Sequence, residues 1–219
     1  VTETGKTRRY DATTRRAAAD RTRRRVLSAA HHLFTTRGYA ETSVAQVARR
    51  ARVSVDTLYA AVGRKPQLLL AVHDMALAGG PEPVPAEQRD YVRAVRDAPD
   101  ARAKITTYAE ALGHLLPTTV PLMNALREAG TTDPECRKVW LAISERRAAN
   151  MVRFAADLRA TGELRADLTD QQVADLVWSM NSPEYFGLLA ARGFTPQDYA
   201  EQVADVWCRT LLSAAGRGP

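Results

Sequence analysis

The sequence predicts an all-α protein of about nine helices, and three observations carry that reading. Apolar residues recur at intervals of three and four along nearly the whole chain, as one face of a helix requires. Residues suited to starting helices stand just ahead of the patterned stretches. No segment of useful length alternates apolar and polar residues as a half-buried strand would. With 219 residues the chain makes one or two domains and can bury a substantial core; it shows no internal repeat.

In chain order, residues 1–14 (VTETGKTRRYDATT) lack apolar periodicity and read as a flexible basic arm. The run from Arg15 then reads as a helix with Val26, Ala30, Leu33 and Phe34 on one face and Gly38 just past its end. Ser43 with Gln46 forms a capping-box start for the next helix. Val44, Val47, Ala48 and Ala51 give it one apolar face, before Arg52-Val53-Ser54 interrupts the rhythm. Ser54 caps a further short helix. Gly63 and Pro66 bracket a turn into a longer helix with Leu68, Leu69, Val72 and Met75 inward, and residues 79–87 (GGPEPVPAE) form a loop. Ile105, Tyr108, Ala109, Leu112 and Leu116 make the next stripe, and Pro121 opens a short helix carrying Leu122, Met123 and Leu126. Asp133-Pro134 starts a long helix to about Leu158, Thr169 with Gln172 starts another, and Thr195-Pro196 starts the last.

Charge divides the chain unevenly. Residues 1–65 hold 15 Lys and Arg against 5 Asp and Glu, whereas the remainder holds 16 against 20. The overall +6 therefore comes wholly from the first third, the footprint of a polyanion partner or of a solvated basic arm. The two helices around Arg52-Val53-Ser54 decide between them. Short helices are marginal alone, and two joined by a tight turn match a helix-turn-helix completed by the Val26–Phe34 helix, with Val44, Val47, Val53 and Leu58 buried. The opposite face of Val53–Ala60 is then free for a major groove, led by Ser54, Val55, Asp56 and Thr57. Ser43, Tyr59 and Lys65 would reach phosphates. Two readings stand open for each neighbour. Arg49 and Arg50 face phosphates or solvent, Asp56 meets a cytosine amine or a nearby arginine, and Arg15 to Arg25 follow the flanking DNA or are solvated.

Over about 50 residues the sequence resembles the TetR-type bacterial transcriptional regulators. The segments RRRVLSAAHHLFTTRGY, TSVAQVARRARVS and DTLYAAVGRKPQLLLAV carry the likeness. Gly38-Tyr39, Thr42-Ser43, Val47-Ala48, Val53-Ser54, Thr57-Leu58-Tyr59, Lys65 and Leu68-Leu69 fall at the family's positions. The resemblance adds Thr42 and Arg52 to the DNA-facing set. Arg52 stands where the family has glycine, Ala60-Ala61-Val62 replaces an aromatic-rich stretch, and Arg64 occupies a small-polar cap position. It implies a helix-turn-helix DNA-binding domain over residues 15–66 and a ligand-binding and dimerisation domain over 67–219, acting on a double-stranded operator.

For that second domain the residues suggest two surfaces. Tyr199, Val203, Val206, Trp207, Thr210 and Leu211 form a wide stripe on the last helix, a homodimer face or ordinary core. Trp140 and Arg147 lie along one stripe of the long helix, while Trp178, Asn181 and Tyr185 share a face of the following one. With Leu112 and Met123 these are candidate ligand contacts, or core packing. A buried Arg147 needs a partner, either Glu184 or an acidic ligand.

The absence of a long apolar segment or leader pattern predicts a soluble, cytoplasmic protein without membrane contact. Cys136 and Cys208 read as buried thiols, and the four histidines make no constellation. No metal, cofactor or catalytic arrangement is expected. The leading reading is a dimeric repressor released from a near-palindromic operator by a small molecule. The alternatives are a nonspecific architectural DNA binder and a helical enzyme.

Overall fold

The computed structural model describes the backbone of residues 4–80 and 84–214, and the side chains of residues 14–80 and 84–214. Among the described residues there are ten α-helices and one 3-10 turn, and the chain divides into two compact units, Val1–Pro83 and Val84–Pro219. Among the described residues the only β-type pairing is an isolated antiparallel bridge between Leu164 and Leu212. None of the described helices is long and apolar enough to cross a membrane.

The first unit contains α1 (Thr4–Arg37), α2 (Val44–Ala51), α3 (Val55–Val62) and α4 (Lys65–Ala78). Residues 4–14, expected as an arm, continue α1 as helical backbone. They contain no proline, and a helix nucleated further along extends through such a sequence at little cost per residue. Gly38, at φ 82°, ends the helix in a left-handed turn, its N–H donating to Phe34 at 3.1 Å. Val26, Leu27, Ala30, Leu33 and Phe34 meet Val47, Ala48, Ala51 and Leu58 in a buried core. Val44, at the start of α2, and Val53, in the turn before α3, were expected inside and are half-buried. Leu68, Leu69 and Val72 are buried, and α4 packs on α1 and α3 within this first unit.

The second unit runs from a 3-10 turn (Ala86–Gln88) through α5 (Asp90–Asp97), α6 (Ala101–Ala129), α7 (Pro134–Arg159), α8 (Asp170–Met180), α9 (Pro183–Ala191) and α10 (Pro196–Leu211). Its core joins Ile105, Tyr108, Leu112 and Leu116 to Phe154, Leu158, Val173, Val177, Val203 and Trp207. The break expected before Pro121 does not occur, and α6 runs through both Pro117 and Pro121. A proline inside a helix costs about 3 kcal/mol or more. Here both rings are exposed, while Leu116, Val120, Leu122 and Met123 between and beyond them are buried. The Thr119 hydroxyl also donates to the Leu115 carbonyl at 2.9 Å, so packing and side-chain bonds hold the helix together.

Two polar features fasten this bundle. The Lys104 ammonium donates to the carbonyls of Val95 and Arg96, at the end of α5, and pairs with Asp157 of α7 at 3.2 Å. Glu163, in the loop after α7, takes the Ala101 N–H on its carboxylate at 2.7 Å and the Ser213 N–H on its carbonyl at 2.8 Å. Gly113 lies where α6 meets α10 so closely that a Cβ would come within 2.8 Å of the Pro196 carbonyl oxygen.

Candidate functional site

In the first unit, α2 and α3 are each set by a local cap. Ser43 accepts from the Gln46 N–H while the Gln46 side chain accepts from the Ser43 N–H at 2.7 Å. Ser54 accepts from the Thr57 N–H at 3.0 Å, and their two hydroxyls lie 2.7 Å apart. Between the helices Arg52 takes φ 55° and ψ 48°, the one non-glycine with positive φ among the described residues. That left-handed geometry costs about 1 kcal/mol for a residue bearing a Cβ. Its N–H closes on Arg49 at 3.1 Å, and the next N–H, from Val53, reaches back to Ala48 at 3.0 Å.

The turn aims α3 so that Leu58 is fully buried while Ser54, Asp56, Thr57 and Tyr59 stand on the exposed side and Val55 is half-buried. Arg49, Arg50 and Arg52 are exposed beside them. Asp56 forms no ion pair among the described residues, so the expected arginine partner is not there. Lys65 lies with its ammonium 4.1 Å from the Tyr39 ring centre and 3.4 Å from the Ala40 carbonyl, beside the loop that leads into α2.

Thr42 does not belong on this face. Its side chain is 1 % exposed, and its hydroxyl donates to the Gly38 carbonyl at 2.8 Å, fastening the loop after α1. Two arginines of α1 that sequence reasoning placed along DNA or in solvent, the half-buried Arg23 and the exposed Arg25, bind backbone carbonyls of the same unit. Arg25 Nη2 donates to the carbonyls of Ala51 and Arg52 at 2.5 and 2.8 Å, and Arg23 Nη1 donates to Ala61 at 2.8 Å. These partners lie 26 to 38 residues away, beyond the reach of any local pattern.

In the second unit, the candidate ligand residues separate. Arg147, Trp178 and Asn181 meet directly. Arg147 Nη2 donates to the Trp178 carbonyl at 2.9 Å and to Asn181 Oδ1, with the guanidinium 5.5 Å from the Trp178 ring centre. Asn181, 3 % exposed, donates onward to the Tyr108 hydroxyl at 2.9 Å and to the Met151 sulfur. Tyr108 lies between Phe154 and Trp207, with ring centres 5.0 and 5.9 Å away. Tyr185 approaches Tyr199, whose hydroxyl donates to the Met180 carbonyl at 2.8 Å. Burial pulls the Arg147 guanidinium below the usual arginine range and pushes both tyrosine hydroxyls above theirs. The expected partner of Arg147 is taken, because Glu184 pairs with Arg127 at 2.5 Å. Leu112 and Met123 are buried. Met123 lies 15 residues beyond Tyr108 on α6, about 22 Å along the axis, too far to join the group. Trp140 is half-buried two turns before Arg147.

The proposed dimer stripe needs correction. Tyr199, Val203, Trp207 and Leu211 are each at most 1 % exposed within the single chain, so they face its own core and cannot meet a partner. An apolar helical stripe reveals that a face is covered but not by what. Val206 is half-buried, and Thr210 is exposed with its hydroxyl donating to its own helix. The large exposed apolar residues lie elsewhere, Leu188 on α9 at 69 % and Leu141 and Val152 on α7. Cys136 and Cys208 are both buried free thiols.

Residues 26–72, from within α1 to within α4, match the sequence model of the bacterial regulatory proteins of the tetR family. No curated protein matches the chain. Solved structures share its fold at low identity. NalD, the secondary repressor of the MexAB-OprM multidrug efflux pump in Pseudomonas aeruginosa, is 21 % identical with a TM-score of 0.64, covering 91 % of this chain and all of that one. A TetR transcriptional regulator from Chloroflexus aurantiacus J-10-FL is 19 % identical with a TM-score of 0.65, covering 90 % of this chain and 100 % of that one. SmeT in complex with triclosan is 16 % identical with a TM-score of 0.65, covering 90 % and 95 %. Residues 26–72 thus match the tetR family model, and over most of its length the chain shares its fold with solved tetR-type structures.

Proposed function

We propose that the protein is a homodimeric repressor that leaves a near-palindromic operator when a small molecule binds its second unit. One observation carries the DNA reading. Helix α3 buries only Leu58 fully and presents Ser54, Asp56, Thr57 and Tyr59 outward, beside the exposed Arg49, Arg50 and Arg52. An α-helix fits the major groove, and flanking cations supply phosphate attraction. Twofold pairing of such units sets two recognition helices about one DNA turn apart. The exposed Leu188 on α9 is the apolar residue best suited to such an interface.

The effector site is the Arg147–Asn181–Tyr108 chain with Trp178 against it. Among the described residues Arg147 bonds the protein through Nη2, which leaves Nε and Nη1 to hold an oxyanion. This favours an acidic effector with an aromatic or apolar body. The triclosan complex of SmeT supports a small aromatic ligand in this fold. An effector that prefers one conformation by 1–3 kcal/mol shifts operator affinity about 5–150-fold.

The test is selection of bound fragments from genomic DNA, then affinity for the selected site against a scrambled duplex at physiological salt. A preference of about 10³-fold or more for a near-palindrome supports the regulator. Equal affinity for both duplexes, with steep salt dependence, marks a nonspecific binder and refutes it.

A further inference from the structure

We infer that Arg25 and Arg23 of α1 are positioning residues for DNA readout, holding the two ends of α3 rather than touching DNA themselves. This rests on the reading of α3 as the recognition helix. That helix is only eight residues long, with Leu58 its single fully buried side chain. One apolar anchor fixes where a short rod sits but leaves its tilt and rotation weakly held.

The two arginines supply the missing constraints. Arg25 Nη2 binds the Ala51 and Arg52 carbonyls, one at the last residue of α2 and one in the left-handed turn ahead of α3. Both carbonyls lie at the negative end of the α2 dipole, where a guanidinium forms charge-assisted bonds. Arg23 Nη1 binds the Ala61 carbonyl in the last turn of α3. The two side chains stand two residues apart on α1, so one helix grips the recognition helix before its start and near its finish. The contact also secures a turn whose Arg52 backbone has no glycine to relax it.

A phosphate-contacting arginine and a positioning arginine differ in what their loss changes. Removing a phosphate contact weakens binding to all DNA alike and lowers the salt slope by about 0.9. Removing a positioning bond erodes the preference between sequences and leaves the slope alone.

The experiment uses full-length wild type, R25Q, R25K and R23Q, with the duplex selected by the wild type and a scrambled duplex as probes, across a salt series. The expected result for R25Q is a loss of about tenfold or more in operator preference, with scrambled-duplex affinity and salt slope nearly unchanged. R25K, which keeps a cationic donor, restores part of that preference. Equal weakening on both duplexes with a reduced slope overturns the inference, as does no change on either. Amide hydrogen exchange without DNA gives a separate reading. In R25Q the Val53 and Leu58 amides, bonded to Ala48 and Ser54, exchange about tenfold faster while the buried turns of α4 keep their rates. Unchanged exchange there overturns the inference whatever DNA shows, whereas a wild type with no sequence preference refutes the regulator reading alone.

Discussion

The bond between Arg147 and Asn181 sets a guanidinium in the interior of the second unit against a neutral amide, and a double-mutant cycle measures what that bond contributes. Arg147→Met keeps a long side chain over Trp178 but removes the charge and leaves the Asn181 carbonyl oxygen, on a residue 3 % exposed, without its donor. An orphaned buried acceptor costs about 1–3 kcal/mol. Loss of the guanidinium over the Trp178 ring adds about 0.5–1 kcal/mol. Asn181→Leu removes the acceptor and also strips the Tyr108 hydroxyl of a donor. The double variant then loses less than the two singles together, with a coupling of about 1.5–3 kcal/mol, the range for a hydrogen bond to a charged group. Denaturant titration followed by tryptophan fluorescence isolates the right unit, because Trp140, Trp178 and Trp207 all lie beyond Pro83. A coupling below about 0.5 kcal/mol would mean that water or the α8 carbonyls already satisfy the guanidinium, and the reasoning about a buried chain of donors would be wrong.

Arg52→Gly removes the left-handed penalty at φ 55° and raises the stability of the first unit by about 0.5–1 kcal/mol, read as a higher melting temperature, while its lost cation weakens binding to all DNA. Ser54→Ala deletes the cap of α3 and lowers stability by about 0.5–2 kcal/mol in a denaturant melt, with operator affinity falling alongside. Tyr108 and Tyr199 ionise later in the folded state than in the unfolded chain, because burial opposes the phenolate. Their contribution is therefore complete below about pH 10 and declines as pH rises above it, at up to about 1.4 kcal/mol per pH unit for each tyrosine. Melting temperatures of wild type and Tyr108→Phe between about pH 9 and 11 check this, and a parallel decline in the two would refute it for Tyr108.

What the sequence displayed best was local. Ser43 with Gln46, Thr169 with Gln172, and Ser54 ahead of Thr57 all cap as their spacing implies, since a cap involves residues three apart. Thr42 was placed on the DNA face by the resemblance alone, whereas its hydroxyl turns back to Gly38. Pro121 signalled a break that packing of the same helix overrides. Charge misled at Arg23 and Arg25, because composition shows an excess of cations but not which carbonyls distant in sequence they bind. The stripe on α10 showed burial correctly and its partner wrongly. Tyr108, now central to the polar chain, gave only the signal of an apolar helix face.

The carboxylate and carbonyl of Glu163 hold the first residue of α6 and a residue just past the end of α10. The bundle from α6 to α10 thus opens and finishes at one residue, and its chain order is close to circular. A linker of a few residues, at about 3.5 Å each, could join those ends into a ring, and new ends could be cut in the loop around Gly193 without changing which helices touch. Such a permuted chain would show whether the order of synthesis matters to this bundle or only its set of neighbours.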